Sequence, residues 1–445
     1  LVVELSELQY SQHLHGELAP QPNRPEEARR PDNKPELQWC ALHQLLLGLY
    51  ASGESISLEH SSISVQDSTA RLWAVNSMRS LATSELDISR FLGFPNCMEI
   101  LNNPHRYIGL DCAILRDIPA PSDNTEQVQA LLARCPSAAV TPLVNATAMA
   151  SEQSIGRVSI KDERSRMGLG SFKALGAAYV IAHSAMIEGE SQTGKTYVTA
   201  SAGNHGMSVA AGAKAFGANS VVYIAETVPE AFATRLKAEG AQVIRAGQIY
   251  EESMAAAKQA AEDNGWSLLS DSSWPGYFKP SYRLMEGYTA LMDEANTQMQ
   301  APTHIFLQAG VGGLAGAVAA MTRKLWGQEV CIIIVEPSHA AALHGCIKAG
   351  EFVTAEGPDS CMGRLDCKEA SLIALKGLAR DADFFTLISE QEGVDAAEYA
   401  TLHNMQSTPS GTGGLAGLLA CSAHRDTLGL DTASHVMLIM SEGPE

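Results

Sequence analysis

The chain has 445 residues, 45% of them hydrophobic and 18% charged, with a formal net charge of −19. That length accommodates two or three ordinary domains around a sizeable core, and the composition excludes a largely disordered chain. The acidic excess argues against a nucleic-acid or anionic-membrane partner, either of which calls for a basic face.

The nine cysteines are odd in number and scattered in spacing, with no CxxC pair. They read as reduced thiols of a cytoplasmic protein, not as a disulfide frame or a zinc site, and no metal is expected. No basic region followed by an apolar core marks a signal peptide. No apolar run is long enough to span a membrane.

Residues 1–97 differ from the remainder of the chain. Pro20, Pro22, Pro25, Pro31 and Pro35 cluster among charges, which favours an extended, poorly packed segment. This stretch reads as an appendage: either sequence lying upstream of the enzyme proper or an N-terminal extension used in oligomerisation. From about residue 155 strands and helices alternate. Strands are expected at Val158–Lys161, Thr196–Ser201, Val221–Ala225, Ala241–Ala246, Ile305–Gln308, Cys331–Glu336 and His435–Met440. Helices are expected at Phe172–Glu188, Gly206–Phe216, Pro229–Glu239 and Tyr250–Asp263. The nearly continuous apolar runs suit parallel strands buried on both faces, so the pattern predicts an open α/β sheet with ligands beyond the carboxyl ends of its strands.

Two stretches invite a nucleotide. Gly189 to Thr196 spells a P-loop formula, but a helix precedes it and a strand comes after, the reverse of the order that aims a helix N-terminus at phosphate. It reads as a surface turn with Lys195 solvated. The second lies after strand Ile305–Gln308: a glycine turn, Gly310-Val311-Gly312-Gly313-Leu314-Ala315-Gly316, then a helix, a strand and Glu336. This is close to a dinucleotide fingerprint and keeps an NAD-dependent oxidoreductase in view. Glycines of this kind bring backbone N–H groups to an anion, whether pyrophosphate or a single phosphate.

Ser171-Phe172-Lys173 opens a helix just after Gly168-Leu169-Gly170. A lysine that attacks an aldehyde must lose its proton, and desolvation, nearby positive charge or a helix N-terminus lowers its pKa. The strand Thr196–Ser201 ends in SAGNHG, where Gly203 and Gly206 allow a tight turn and Asn204 offers an amide to a flat ligand. The strand His435–Met440 ends in Ser441-Glu442-Gly443.

Lys173 in SFKALGA, the SAGNHG loop, the glycine turn before Val335-Glu336-Pro337 and the terminal serine together resemble the tryptophan-synthase-like (fold type II) family of pyridoxal phosphate (PLP) enzymes. Thr141-Pro142-Leu143, Lys161-Asp162-Glu163, Ser270-Asp271, Gly287-Tyr288 and Met362 to Cys367 are similar to its diaminopropionate ammonia-lyase branch. The resemblance covers about residues 98–445. It implies two open, mostly parallel α/β sheets with the active site between them: a large PLP-binding domain of residues 98–182 plus 301–445 and a small domain of residues 183–300. It implies that Lys173 carries the cofactor as an imine beside Phe172, and that Ala309, Gly310, Val311, Gly312 and Gly313 hold the phosphate. Asn204 then contacts the ring oxygen and Ser441 the ring nitrogen.

The activity implied is α,β-elimination of ammonia from a small amino acid, 2,3-diaminopropionate, by a homodimer, with Lys173 or Asp271 as the catalytic base. The nearest alternative is a serine, threonine or hydroxyaspartate dehydratase. Ala202 stands where that branch often carries an acid associated with the D-isomer, so the L-isomer is the expected substrate.

Overall fold

The computed structural model describes residues 98–444 and one short antiparallel pair, β1 (Ser57–Glu59) with β2 (Ser62–Ser64). The contacts divide the chain between Ile88 and Ser89. Apart from that pair, which no sequence pattern predicts, the expectation of a poorly structured segment over 1–97 lies outside the described residues.

The described residues form two further sheets. The larger takes strands β3 (Glu99–Asn102), β4 (Leu143–Asn145), β5 (Arg157–Asp162), β10 (His304–Gln308), β11 (Cys331–Pro337), β12 (Phe384–Ile388) and β13 (His435–Met440) in the order β3-β12-β11-β10-β13-β5-β4. Its inner strands are parallel and its two edges, β3 and β4, antiparallel. The smaller is wholly parallel: β6 (Thr196–Ala200), β7 (Asn219–Ile224), β8 (Gln242–Arg245) and β9 (Ser267–Leu268), in the order β8-β7-β6-β9.

The continuous apolar runs have a direct cause. Successive side chains of a strand point to opposite faces. Ile305, Leu307, Ile332, Ile334, Met437 and Ile439 therefore enter one core, and Phe306, Ile333, Val335, Val436, Leu438 and Met440 another. Helices cover both faces, so the middle of each of these strands is apolar, and the polar residues His304, Gln308 and Glu336 fall at or near the strand ends. The edge strands escape the sequence pattern because they are three or four residues long and only half buried. Strands β9 and β12 escape it too.

The predicted helix Phe172–Glu188 is in fact broken. A 3₁₀ turn, Phe172–Leu175, precedes an α-helix, Ala177–Met186, and the break is Gly176. A Cβ there would stand 2.8 Å from Cε1 of Tyr288 and 2.9 Å from its hydroxyl, so only glycine lets helix Lys279–Gln298 pack this close.

That helix is also tied to β5 through buried charges. Arg166 bonds both oxygens of Glu163, each at 2.7 Å, and both oxygens of Glu294, at 2.7 and 2.8 Å. Lys161 donates to Glu294 at 2.7 Å, and the Thr141 hydroxyl donates to Glu163 at 2.6 Å. The network has two cations and two anions, and it anchors the residues just ahead of Lys173. Removing one member strands the others without water. Glu294→Ala should therefore lower unfolding stability by about 3–5 kcal/mol, read from urea denaturation. A loss under about 1 kcal/mol would mean that the pair contributes no more than an exposed one.

Candidate active site

Lys173 is held by the strand ends around it. The Phe172 N–H donates to the Ser441 carbonyl (3.1 Å), and Gly443 donates to the Gly170 carbonyl (2.9 Å). Ser171 bridges Glu442, and its hydroxyl accepts from the Lys173 N–H. The lysine turn is thus stitched to the end of β13. The buried Phe172 ring meets Tyr288 edge-on, with centroids 4.8 Å apart.

From the smaller sheet comes Asp271, three residues beyond β9. Its loop is fixed on both sides. The Tyr277 hydroxyl accepts from the Ser270 N–H and donates to the Leu268 carbonyl, each at 2.9 Å. The Ser281 hydroxyl meets the carbonyls of Ser270 (3.2 Å) and Ser272 (2.6 Å). So placed, Asp271 Oδ2 lies 2.6 Å from Lys173 Nζ, both side chains about one fifth exposed (21%).

This pair corrects the expectation of a lysine with a lowered pKa. Burial does disfavour the ammonium, but the adjacent Asp271 carboxylate outweighs it and holds the amine above its ordinary value. Burial likewise works against the Asp271 carboxylate, and the charges of Lys173 and His205 outweigh it and keep the group well below the usual carboxylate range. The 3₁₀ turn carrying Lys173 spans only four residues, too short for its dipole to compete.

The glycine turn comes directly after β10. Ala309 is buried. A Cβ on Gly310 would lie 3.0 Å from Leu365 Cα and 3.1 Å from both the Arg364 carbonyl and Cys367 Sγ. The Val311 carbonyl accepts from Ser371, and Gly312 sits at φ +92°. Gly313 opens the 14-residue helix Gly313–Trp326, whose first N–H groups have no intrahelical acceptor. A Cβ on Gly313 would stand 3.7 Å from the Tyr288 ring and 3.9 Å from the Asp271 carbonyl. Turn and lysine therefore converge on one tyrosine, with the Asp271 backbone beside the turn.

The other expected residues are placed less simply. Ser441 is buried at the end of β13. Asn204, at the start of helix Asn204–Ala215, donates to Glu442 Oε2 at 2.5 Å. Glu442 also pairs with Arg364 (2.9 Å) and accepts from Thr408. Sequence patterns assign no role to Glu442, Tyr277, Tyr288 or Ser281. Glu442 and Tyr288 do stand inside recognisable motifs, but nothing local distinguishes a buried, bonded acid from a solvated one. Ala202 packs against the cluster of Met207, Val222 and Leu236.

Neither nucleotide motif survives in this setting. Lys195 pairs with Glu190 in the turn between helix Ala177–Met186 and β6. Glu336, the acid that a dinucleotide ribose would need, is fully buried and accepts from the N–H groups of Leu343 (2.8 Å) and His344 (2.7 Å), capping helix Ala342–Ala349.

The site fits pyridoxal phosphate. It combines a lysine amine, a cradle that a side chain at Gly310 would fill, and a helix N-terminus suited to an anion. Beside them the buried Tyr288 hydroxyl and His205 Nδ1 make no hydrogen bond of ordinary geometry among the described residues. Residues 136–442, more than half of the chain, match the family of pyridoxal-phosphate dependent enzymes, and the chain belongs to that family, with the fold type II architecture.

Among its relatives, the diaminopropionate ammonia-lyase of Escherichia coli (strain K12) is 31% identical over 339 residues, covering 68% of this chain and 84% of that protein. The L-serine dehydratase/L-threonine deaminase of Mus musculus is 32% identical over 231 residues, 52% of this chain and 67% of that one. The crystal structure of the Escherichia coli diaminopropionate ammonia lyase in complex with an aminoacrylate-PLP azomethine reaction intermediate superimposes with a TM-score of 0.70 at 27% identity, covering 78% of this chain and 94% of that one.

Glu336 yields a pH prediction. Burial pushes its carboxyl up to about 8 from 4.5, with the backbone N–H bonds pulling the other way. A raised acid binds its proton more tightly when folded. Its contribution is therefore fully present below the unfolded value and lost as pH rises through the folded one. Glu336→Gln should flatten the decline of Tm across that window relative to the parent, as followed by differential scanning calorimetry. Parallel slopes for parent and variant would contradict the assignment.

Proposed function

We propose that the protein is a pyridoxal-phosphate-dependent ammonia-lyase that converts 2,3-diaminopropionate and water to pyruvate and two ammonia, preferring the L-isomer. The observation that carries this is the Lys173–Asp271 contact beside the glycine turn. An acid and a base stand together where a small amino acid must lose an α-proton and a β-substituent. The ammonia-lyase relatives support the choice of substrate.

Lys173 would hold the cofactor. Ala309, Gly310, Val311, Gly312 and Gly313 would receive its phosphate, Phe172 would flank it, Asn204 would face its ring oxygen and Ser441 its ring nitrogen. Pyridoxal phosphate supplies an electron sink for the substrate α-carbon when bound. Lys173, once free, presents an amine that can take the α-proton. Asp271, ionised beside it, either anchors a β-ammonium or takes that proton itself. A neutral hydroxyl at Ser441 would not stabilise a protonated pyridine nitrogen as a carboxylate does, which favours prompt loss of a β-leaving group over transamination.

A dehydratase acting on serine, threonine or hydroxyaspartate is the second reading, favoured by Ala202 and by the mouse relative. We further infer a homodimer in the cytoplasm. The free thiols of the described cysteines agree with that compartment, and no helix among the described residues is long and apolar enough to cross a membrane. Residues 98–182 plus 301–445 would form the large domain and 183–300 the small one. The strands of the seven-stranded sheet all fall in the first set and those of the four-stranded sheet in the second.

Purified protein should be yellow, with an absorbance that borohydride abolishes, and Lys173→Ala should lack it. Release of 2-oxo acid should be fastest with L-diaminopropionate, ahead of L-serine and L-threonine; the reverse order would favour the dehydratase, and equal rates on D- and L-diaminopropionate would remove the stereochemical preference. Asp271→Asn should keep the colour and lose about two orders of magnitude or more in kcat, the scale of a positioned proton-transfer group.

A further inference from the structure

We propose that the Tyr288 hydroxyl is a further donor to the phosphate of the bound cofactor, a contact that rests on the pyridoxal phosphate reading above. Tyr288 lies mid-way along helix Lys279–Gln298 and is 1% exposed. Its ring is wedged between the two segments that define the site. A Cβ on Gly176, just past the lysine turn, would touch Cε1 and the hydroxyl, and a Cβ on Gly313, at the mouth of the glycine turn, would lie 3.7 Å from Cε2. Phe172 packs on it edge-on, and Lys173 Nζ is 5.8 Å from its centroid. The ring of this side chain thus stands beside both the lysine turn and the N-terminus of helix Gly313–Trp326.

Among the described residues the hydroxyl makes no hydrogen bond of ordinary geometry; the charged group nearest it is the Lys173 ammonium, a donor already held by Asp271, so the hydroxyl is left without an acceptor. Its neighbours in type behave otherwise: Tyr179 donates to Glu286, Tyr197 to Gln192 and Tyr277 to the Leu268 carbonyl. Leaving a buried hydroxyl unpaired costs on the order of 1–3 kcal/mol, and phenylalanine would fill the same volume without it. Burial raises its ionisation well above the ordinary tyrosine range, so the group is a donor and calls for an acceptor. The glycine turn is built for an anion, and the phosphate is the anionic group of the cofactor that would reach it.

The full-length chain, freed of cofactor with hydroxylamine, is titrated with pyridoxal phosphate and with pyridoxal, which lacks the phosphate, following tryptophan fluorescence. Tyr288→Phe should weaken pyridoxal phosphate about tenfold or more, as expected for a lost bond to a charged group, and leave pyridoxal unchanged. Tyr179→Phe, from the Ala177–Met186 helix, should leave the ratio of the two affinities as in the parent. Equal weakening of both compounds by Tyr288→Phe, or no weakening of either, would overturn the contact while leaving the cofactor assignment intact. A parent protein that binds neither compound would overturn both. Matching circular dichroism of parent and variant would show that the change is not one of folding.

Discussion

The site depends on one ion pair that joins two separately built sheets. Lys173 comes from the turn beyond β5 of the larger sheet and Asp271 from the loop beyond β9 of the smaller, and they meet at 2.6 Å. Each partner alone would be pushed toward neutrality by burial. Together they stay charged, and the contact has meaning only if both loops are held still. The surrounding bonds provide for that: Tyr277 and Ser281 fix the backbone on either side of Asp271, while Ser441 and Gly443 fix the backbone just ahead of Lys173. A charge pair between two loops keeps its contact only while both loops stay in place, and the energy of the pair falls as they separate; many bonds converge on these two short loops.

The same constraint governs the approach of the helices. Gly176 and Gly310 stand where a single methyl group would strike Tyr288 in one case and Leu365, Arg364 and Cys367 in the other. Close packing at these points draws helix Lys279–Gln298 and the segment Met362–Cys367 onto the site. Charges reinforce this, since Glu294 on that helix binds both Arg166 and Lys161. The helix that carries Tyr288 is thereby registered against the lysine turn by contact near its middle and by buried ion pairs toward its C-terminal end.

Particular residues show where sequence patterns carry and where they stop. The inner strands are legible because burial on both faces leaves an unbroken apolar run. Strands β3 and β4 are not, because a half-exposed edge of three or four residues has no such signature. Lys173 can be found from the order of motifs around it, but its protonation cannot, because the deciding charge sits 98 residues away. Glu336 stands close to where a dinucleotide pattern wants an acid, and only the fold shows its side chain taken up by a helix end. Asn204 offers an amide to a ligand, and its bond to Glu442 is a long-range contact that local pattern cannot carry.

By itself, the sequence determined the alternation of buried strands and helices, the glycines at the tight turns and the chemical kinds of side chain available at strand ends. These are local properties, set by periodicity, by the absence of a Cβ and by functional-group chemistry. Tertiary structure alone decided which charges became neighbours, which polar atoms were left without partners and which acids were consumed as caps. Those outcomes depend on distances between residues far apart in the chain, and electrostatic and desolvation energies are functions of those distances rather than of position along the sequence.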